Sequence, residues 1–254
     1  MLTTAQKEQF IDEGYLKIPG VVPRVLIDAA RRAVNHSIGH VGEGGADPSR
    51  NRSAFYCAEL LQASVILDLF NKSPILEIAE SLMGVGNVQP VVSAKPYPRF
   101  PLPLGEDPPA PRGHIDGIGN GSNGTAKGDY KRNFTAFAVV YLADVLESYS
   151  GNFTVWPKSH RFFADYFNQQ GHQVLANGVP QLELPEEPLM ITAKAGDLIL
   201  AHHQIFHGAC ANAAPDVRHA VITRLRHKDV EQNGYDGYTD IWREWPGVQE
   251  LVEA

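Results

Sequence analysis

The sequence predicts an α+β fold, with a helical first third followed by an all-β sandwich or jelly-roll core. Three observations lead there. Apolar residues recur at helical spacing up to about residue 86 and fall into short, nearly continuous runs after it. Those runs follow one another without the helix-strand alternation of a parallel sheet. The 23 glycines and 18 prolines among 254 residues supply the turns that many short strands need. With 43% apolar and 20% charged residues the chain is an ordinary globular sequence, expected to fold as one domain over 1–254. The expected division is a helical part at 1–86, a β core at 87–227 and a polar tail at 228–254.

Each element has a local reason. Thr3-Thr4-Ala5-Gln6 fits a capping box for a first helix that Gly14 stops. Tyr15-Leu16-Lys17-Ile18 is a short strand closed by Pro19. Pro23 suits the first turn of a second helix running to about His36. A loop rich in Gly, Asp, Ser and Arg covers 39–52, and helical patterns return at 58–71 and 74–83. Alternation over 87–97 predicts a strand. The Pro-rich stretch PRFPLPLGEDPPAPRG cannot form a regular element. Further strands are predicted at 134–142, 151–156, 189–193, 198–202, 205–209 and 219–226, with short helices at 159–168 and 246–252.

The net charge of −7 argues against a nucleic-acid binder that works through overall charge. Two cysteines, Cys57 and Cys210, are too few for a disulfide framework or a cysteine-rich zinc site, so a reducing, cytoplasmic setting is expected. The first residues lack a basic stretch followed by an apolar one, and the longest apolar run, 134–143, is half a membrane span. Neither a signal peptide nor a membrane partner is expected.

The chemistry concentrates around His114-Ile115-Asp116. On a strand, residues two apart share a face, so an imidazole and a carboxylate at this spacing can bind one metal. The segment Gly196-Asp197-Leu198-Ile199-Leu200-Ala201-His202-His203-Gln204-Ile205-Phe206-His207-Gly208 offers a third ligand among three histidines. Two histidines and a carboxylate leave metal positions open, the facial triad of non-haem Fe(II) oxygenases. Arg218 follows eleven residues after His207. If 205–209 and 219–226 form a hairpin, its centre lies near Asn212 and Ala213, and His207 and Arg218 face each other about 5 Å apart. A dicarboxylate held by the metal at one end would then meet a guanidinium at the other.

These residues resemble the phytanoyl-CoA dioxygenase family of Fe(II)- and 2-oxoglutarate-dependent oxygenases. The likeness runs through LTTAQKEQFIDEGYLKIPGVV, GHIDG, GNFTVWPKSH and GDLILAHHQIFHGACAN. The resemblance implies a double-stranded β-helix, a cupin-like jelly roll with helices packed on it. It implies Fe(II), the cosubstrate 2-oxoglutarate and O2, and oxidation of a C–H bond of a small molecule with release of succinate and CO2. It gives His114, Asp116 and His207 as iron ligands, Arg218 as anchor of the distal carboxylate, and Lys95 as a further cosubstrate contact. It prefers His207 to His202 and His203, of which strand alternation would pack one and expose the other. Because Asp116 is a carboxylate and not Gly or Ala, the resemblance favours hydroxylation, or a related oxidation, over halogenation.

The chain departs from the family pattern in two places. Ala209 stands where many members have Ser or Thr, and Lys158 stands where the turn carries Gly. Loop 117–124 is a candidate lid. Arg224, Asn120 and Phe134 are candidate substrate contacts. The basic residues Arg99, Arg112, Lys127, Lys131, Arg132, Arg224 and Arg226 admit an anionic substrate or are simply solvated. A jelly-roll enzyme without 2-oxoglutarate and a non-catalytic relative are the alternatives. Arg218 separates the first reading from the second, and the intact triad separates it from the third. Substrate identity and oligomeric state are not written in the sequence.

Overall fold

The computed structural model describes residues 1–42, 56–119 and 126–253. Helix α1 (Thr4–Glu13) begins with the predicted box: Gln6 N–H donates to Thr3 Oγ1 at 3.2 Å and Thr3 N–H donates to Gln6 Oε1 at 3.0 Å. Strand β1 (Tyr15–Ile18) follows, then α2 (Arg24–His40), one turn longer than expected, with Pro23 at its N-cap. A 3-10 turn (Ala58–Leu60), α3 (Ser64–Asn71) and α4 (Ile75–Met83) complete the helical part. Most of the 39–52 loop lies outside the described residues.

The β part comprises β2 (Lys95–Arg99), β3 (Ala136–Tyr141), β4 (Phe153–Val155), β5 (Leu189–Met190), β6 (Leu198–His202), β7 (His207–Ala209) and β8 (Arg218–Leu225). Helix α5 (Ser159–Gln170) separates β4 from β5. A five-stranded antiparallel sheet has the order β1-β6-β3-β8-β2, and a three-stranded one the order β5-β4-β7. This is the jelly-roll arrangement expected, with helices on one side.

Strand β3 shows why. All six residues are buried, because both its faces are covered. Ala136, Ala138 and Val140 meet the helices through Ile27, Ala30, Leu69 and Leu82. Phe137, Val139 and Tyr141 meet the small sheet through Phe153 and Val155. A strand covered on both faces reads as an unbroken apolar run, as Phe134 to Leu142 does.

The structure corrects three expectations. The alternating run at 87–97 is a strand only from Lys95, and Val88 makes a single bridge to His227. Pro90 interrupts the run, and Pro96 and Pro98 are tolerated because β2 is an edge strand. The stretch after His207 is not a hairpin to Arg218. Strand β7 belongs to the small sheet and β8 to the large one, where Arg218 pairs with Arg99.

The tail is not a polar appendage either. Helix α6 (Val230–Asn233), a 3-10 turn (Gly234–Tyr238) and α7 (Gln249–Val252) lay Tyr238, Glu244, Trp245 and Val248 into the interior. Glu244 is fully buried and takes Arg132 Nη2 at 2.6 Å, Thr135 Oγ1 at 2.5 Å and Asn233 Nδ2 at 3.0 Å. Arg132, expected among solvated charges, is therefore buried and paired. Removing one member of such a pair strands the other charge away from water, which typically costs about 3–5 kcal/mol. Glu244→Ala is expected to lower unfolding stability in urea by about that amount, and a loss below about 1 kcal/mol would show that the tail is not anchored there.

Candidate active site

The site begins with backbone. His114 N–H donates to His207 O at 2.8 Å and His207 N–H donates to His114 O at 3.0 Å, an antiparallel bridge on the free edge of β7. His114 and Asp116 are thus not on a strand of their own, as the spacing argument assumed; one bridged residue suffices. Glycine permits the approach. A Cβ on Gly208 would overlap the carbonyl of Arg112, and one on Gly113 would overlap the rings of Phe206 and Trp156.

The bridge sets the two imidazoles 4.6 Å apart between centroids. His114 Nε2 lies 3.0 Å from Asp116 Oδ1. Ligand atoms of His114, Asp116 and His207 all lie within 4.8 Å of one another. Two nitrogens and one carboxylate oxygen are the donor set that Fe(II) takes in the facial triad, so the residues present fit that metal.

His207 is buried against Phe137 and Phe153, with ring centroids at 4.4 and 5.6 Å. Its Nδ1 lies 3.0 Å from Ile205 O and serves as the N–H donor, which leaves Nε2 as the ligand atom. Burial pushes its pKa down to about 4, so the ring is neutral and ready to ligate at neutral pH. Burial alone would raise the pKa of Asp116. The hydrogen bond from His114 and the charges of His207 and Arg224 outweigh burial and hold the carboxyl well below the usual range.

The inner face of β8 carries two arginines. Arg218 is buried, with Nε donating to Gly151 O at 2.7 Å and Nη1 to Tyr97 O at 3.0 Å. Arg99, directly opposite on β2, donates from Nε to Cys210 O and from Nη2 to Ala209 O, both at 3.1 Å. Neither guanidinium has a carboxylate partner among the described residues. Beside Arg218, the buried Tyr141 hydroxyl accepts Phe153 N–H at 2.8 Å, and no described residue accepts its proton. Arg224, at the other end of β8, is half exposed and binds Asp116.

Other candidates fall elsewhere. Lys95 Nζ donates to Tyr56 O at 3.0 Å. Phe134 is a buried wall, edge-on to Phe137 at 4.7 Å, with the Arg224 guanidinium over its ring. Asn120 and most of the 117–124 lid candidate lie outside the described residues. Arg226 is past the end of β8 and pairs with Glu231 at 2.6 Å. His202 and His203 are both buried, neither facing solvent, because the tail covers them: His202 Nε2 is 3.1 Å from Ile241 O, and His203 Nε2 accepts from Arg132 at 3.2 Å. Sequence reasoning placed Arg99 only among the basic residues open to an anionic substrate and gave no role to Tyr141. The signal for Arg99 was its parity with Lys95 and Tyr97, which is readable only once the pairing of β2 with β8 is known.

No protein-family profile and no curated protein sequence matches the chain. Solved structures do. The carbocyclase SnoK of nogalamycin biosynthesis, a non-haem α-ketoglutarate-dependent enzyme, matches at 18% identity and a TM-score of 0.59 over 100% of this chain and 91% of its own. EctD from S. alaskensis, solved with 2-oxoglutarate and 5-hydroxyectoine, matches at 15% identity and 0.59 over 90% and 77%. HygX from Streptomyces hygroscopicus, solved with nickel, 2-oxoglutarate and hygromycin B, matches at 15% identity and 0.56 over 89% and 88%. The chain has the fold of these oxygenases.

The buried histidines set the acid limit of the fold. Burial lowers His160, His207 and His219 to about 4, and His202 and His203 well below their ordinary value. Between about pH 4 and 6.5 the unfolded chain binds protons that the folded chain refuses, so stability falls as the pH falls through that window. Metal-free protein is expected to take up between about four and five protons on unfolding at pH 5. Urea titrations compared across pH check this, and a midpoint flat from pH 6.5 to 4.5 contradicts it.

Proposed function

We propose that the chain is an Fe(II)- and 2-oxoglutarate-dependent oxygenase of the phytanoyl-CoA dioxygenase type, acting as one domain on a small molecule in the cytoplasm. The observation that carries this reading is the triad of His114, Asp116 and His207 combined with a buried, acid-free guanidinium at Arg218 on the inner face of the same sandwich. The fold shared with SnoK, EctD and HygX supports it.

In this reading His114, Asp116 and His207 would hold Fe(II), and bound iron would supply O2 activation that couples conversion of 2-oxoglutarate to succinate and CO2 with oxidation of a substrate C–H bond. The chain's own residues bind and orient. Arg218 meets the distal carboxylate of the cosubstrate through the N–H groups it does not give to Gly151 and Tyr97. Arg99 adds a second positive charge, which a carboxylate offsets. The Tyr141 hydroxyl donates its spare proton in place of the hydroxyl that Ala209 lacks. Phe137 and Phe153 keep water from the buried side of His207. Because Asp116 occupies a position that halide would need, the outcome is hydroxylation or a related C–H oxidation such as desaturation, and not halogenation. The substrate enters from the side where His114 is exposed.

Two measurements test the reading. His207→Ala is expected to lose stoichiometric Fe(II) binding and 2-oxoglutarate turnover, while His203→Ala keeps Fe(II) binding; the reverse result refutes the ligand assignment. Arg218→Met should weaken 2-oxoglutarate by roughly 30- to 1000-fold, the equivalent of about 2–4 kcal/mol for two charge-assisted bonds, with Fe(II) binding retained. Arg218→Lys should fall between, since lysine keeps the charge and loses the fork. Anaerobic titration of the Fe(II)–cosubstrate charge-transfer absorbance measures both variants, and unchanged affinity in Arg218→Met removes 2-oxoglutarate from the reading.

A further inference from the structure

Arg224 sits on β8 opposite Phe137 of β3. Its Nε donates to Asp116 Oδ2 at 3.0 Å, and its Nη2 donates to the same oxygen. Both bonds fall on Oδ2, and Oδ1 is left turned toward His114. The guanidinium carbon lies 5.1 Å from the centroid of Phe134. Phe134 is buried and edge-on to Phe137, and Phe137 lies 4.4 Å from His207. A closed circuit therefore runs from one ligand to another: Asp116, Arg224, Phe134, Phe137, His207.

We propose that Arg224, braced by Phe134, is a positioning residue that fixes the Asp116 carboxylate, and not a substrate contact. The proposal rests on the metal reading above. An aspartate carboxylate turns easily about its last side-chain bond. Two donors on one oxygen stop that rotation, assign Oδ1 to the metal side and discourage the carboxylate from chelating with both oxygens. Chelation of that kind would fill a position the cosubstrate or O2 needs. A free arginine half in water would lose much of this grip to its own mobility. The Phe134 face holds the guanidinium in plane, a cation–π contact that brings affinity as well as order. The guanidinium is thereby committed: its Nε and Nη2 are spent on Asp116, and its flat face is on Phe134.

The Arg224→Met protein should bind Fe(II) about 10- to 100-fold more weakly in anaerobic titration against a competing chelator, the range expected when a group supporting a ligand is removed. At saturating iron its 2-oxoglutarate affinity should change less than about threefold, which separates Arg224 from Arg218. The visible d–d bands of the Co(II)-loaded protein should change in intensity, since they follow the number of donor atoms. Arg224→Lys should weaken iron about three- to tenfold, because an ammonium provides one directed contact where the fork provides two. Phe134→Leu, with the arginine intact, should also weaken iron binding.

Wild-type Fe(II) affinity and an unchanged Co(II) spectrum in Arg224→Met overturn the proposal. If Arg224→Met does not fold, wild-type iron affinity in both Arg224→Lys and Phe134→Leu overturns it equally. Failure of the underlying reading looks different: His207→Ala would then bind Fe(II) as the wild type does.

Discussion

Two peptide hydrogen bonds between His114 and His207 are the constraint on which the rest of this structure depends. Neither histidine lies where a lone strand would place a metal site. His207 opens a three-residue strand, and His114 belongs to an irregular Pro-rich connection. Their mutual bridge makes the connection an extra edge of the small sheet for one residue. Asp116, two positions on, then turns toward the same point. Because the two backbones must come close, Gly113 and Gly208 are tied to function through geometry and not through chemistry. The aromatic floor of Phe137 and Phe153 keeps His207 neutral and dry, and the exposed His114 leaves the other side of the site open.

The large sheet meets this point with positive charge at both ends of one strand. At one end, Arg218 and Arg99 face each other across β8 and β2, donate to backbone carbonyls and have no carboxylate partner among the described residues. Like charges directly opposite on a sheet are unfavourable, and buried guanidinium groups without an acid are more so. Such an arrangement persists where an anion relieves it. At the other end Arg224 already has its anion, Asp116. The same residue type on the same face therefore has two environments, and what separates them is whether a carboxylate of the chain is within reach. In the sequence the two are indistinguishable, since six residues is an even number and both lie on the inner face.

That limit is general to what could be read beforehand. Elements with local causes were legible: the Thr3 capping box, Gly14 at the end of α1, the doubly covered strand β3, and β6 at 198–202. So was the grouping of His114, Asp116 and His207, whose ligand-type atoms the fold brings within 4.8 Å of one another. The pairing of strands was not. The short link from His207 to Arg218 looks like a hairpin by length, yet it carries the chain from one sheet to the other, and a jelly roll is made of such crossings. The tail was misread for a related reason. Its charged residues suggested solvent, but Glu244 is charged and buried, compensated by Arg132, Thr135 and Asn233 from elsewhere in the chain. Composition registers the charge and is blind to its partners.

The buried tail also bears on the site. The turn from β6 to β7 delivers His207, and several of its polar groups are held from outside. Arg132, itself fixed by Glu244, donates to His203. Gln204 donates to the carbonyls of His160 and Tyr238. Phe206 donates its N–H to Ser159 Oγ at 2.8 Å and accepts from Trp156 N–H at 2.9 Å. His160 lies 3.1 Å from the carbonyl of Ile11 at the end of α1. The Trp-Pro-Lys-Ser-His segment thus acts as a clamp between the first helix, the tail and the turn before His207. A ligand presented by a three-residue strand has little order of its own. Its precision is supplied by neighbours drawn from both ends of the chain, which is why a tail remote in sequence belongs to the same cooperative unit as the candidate metal site.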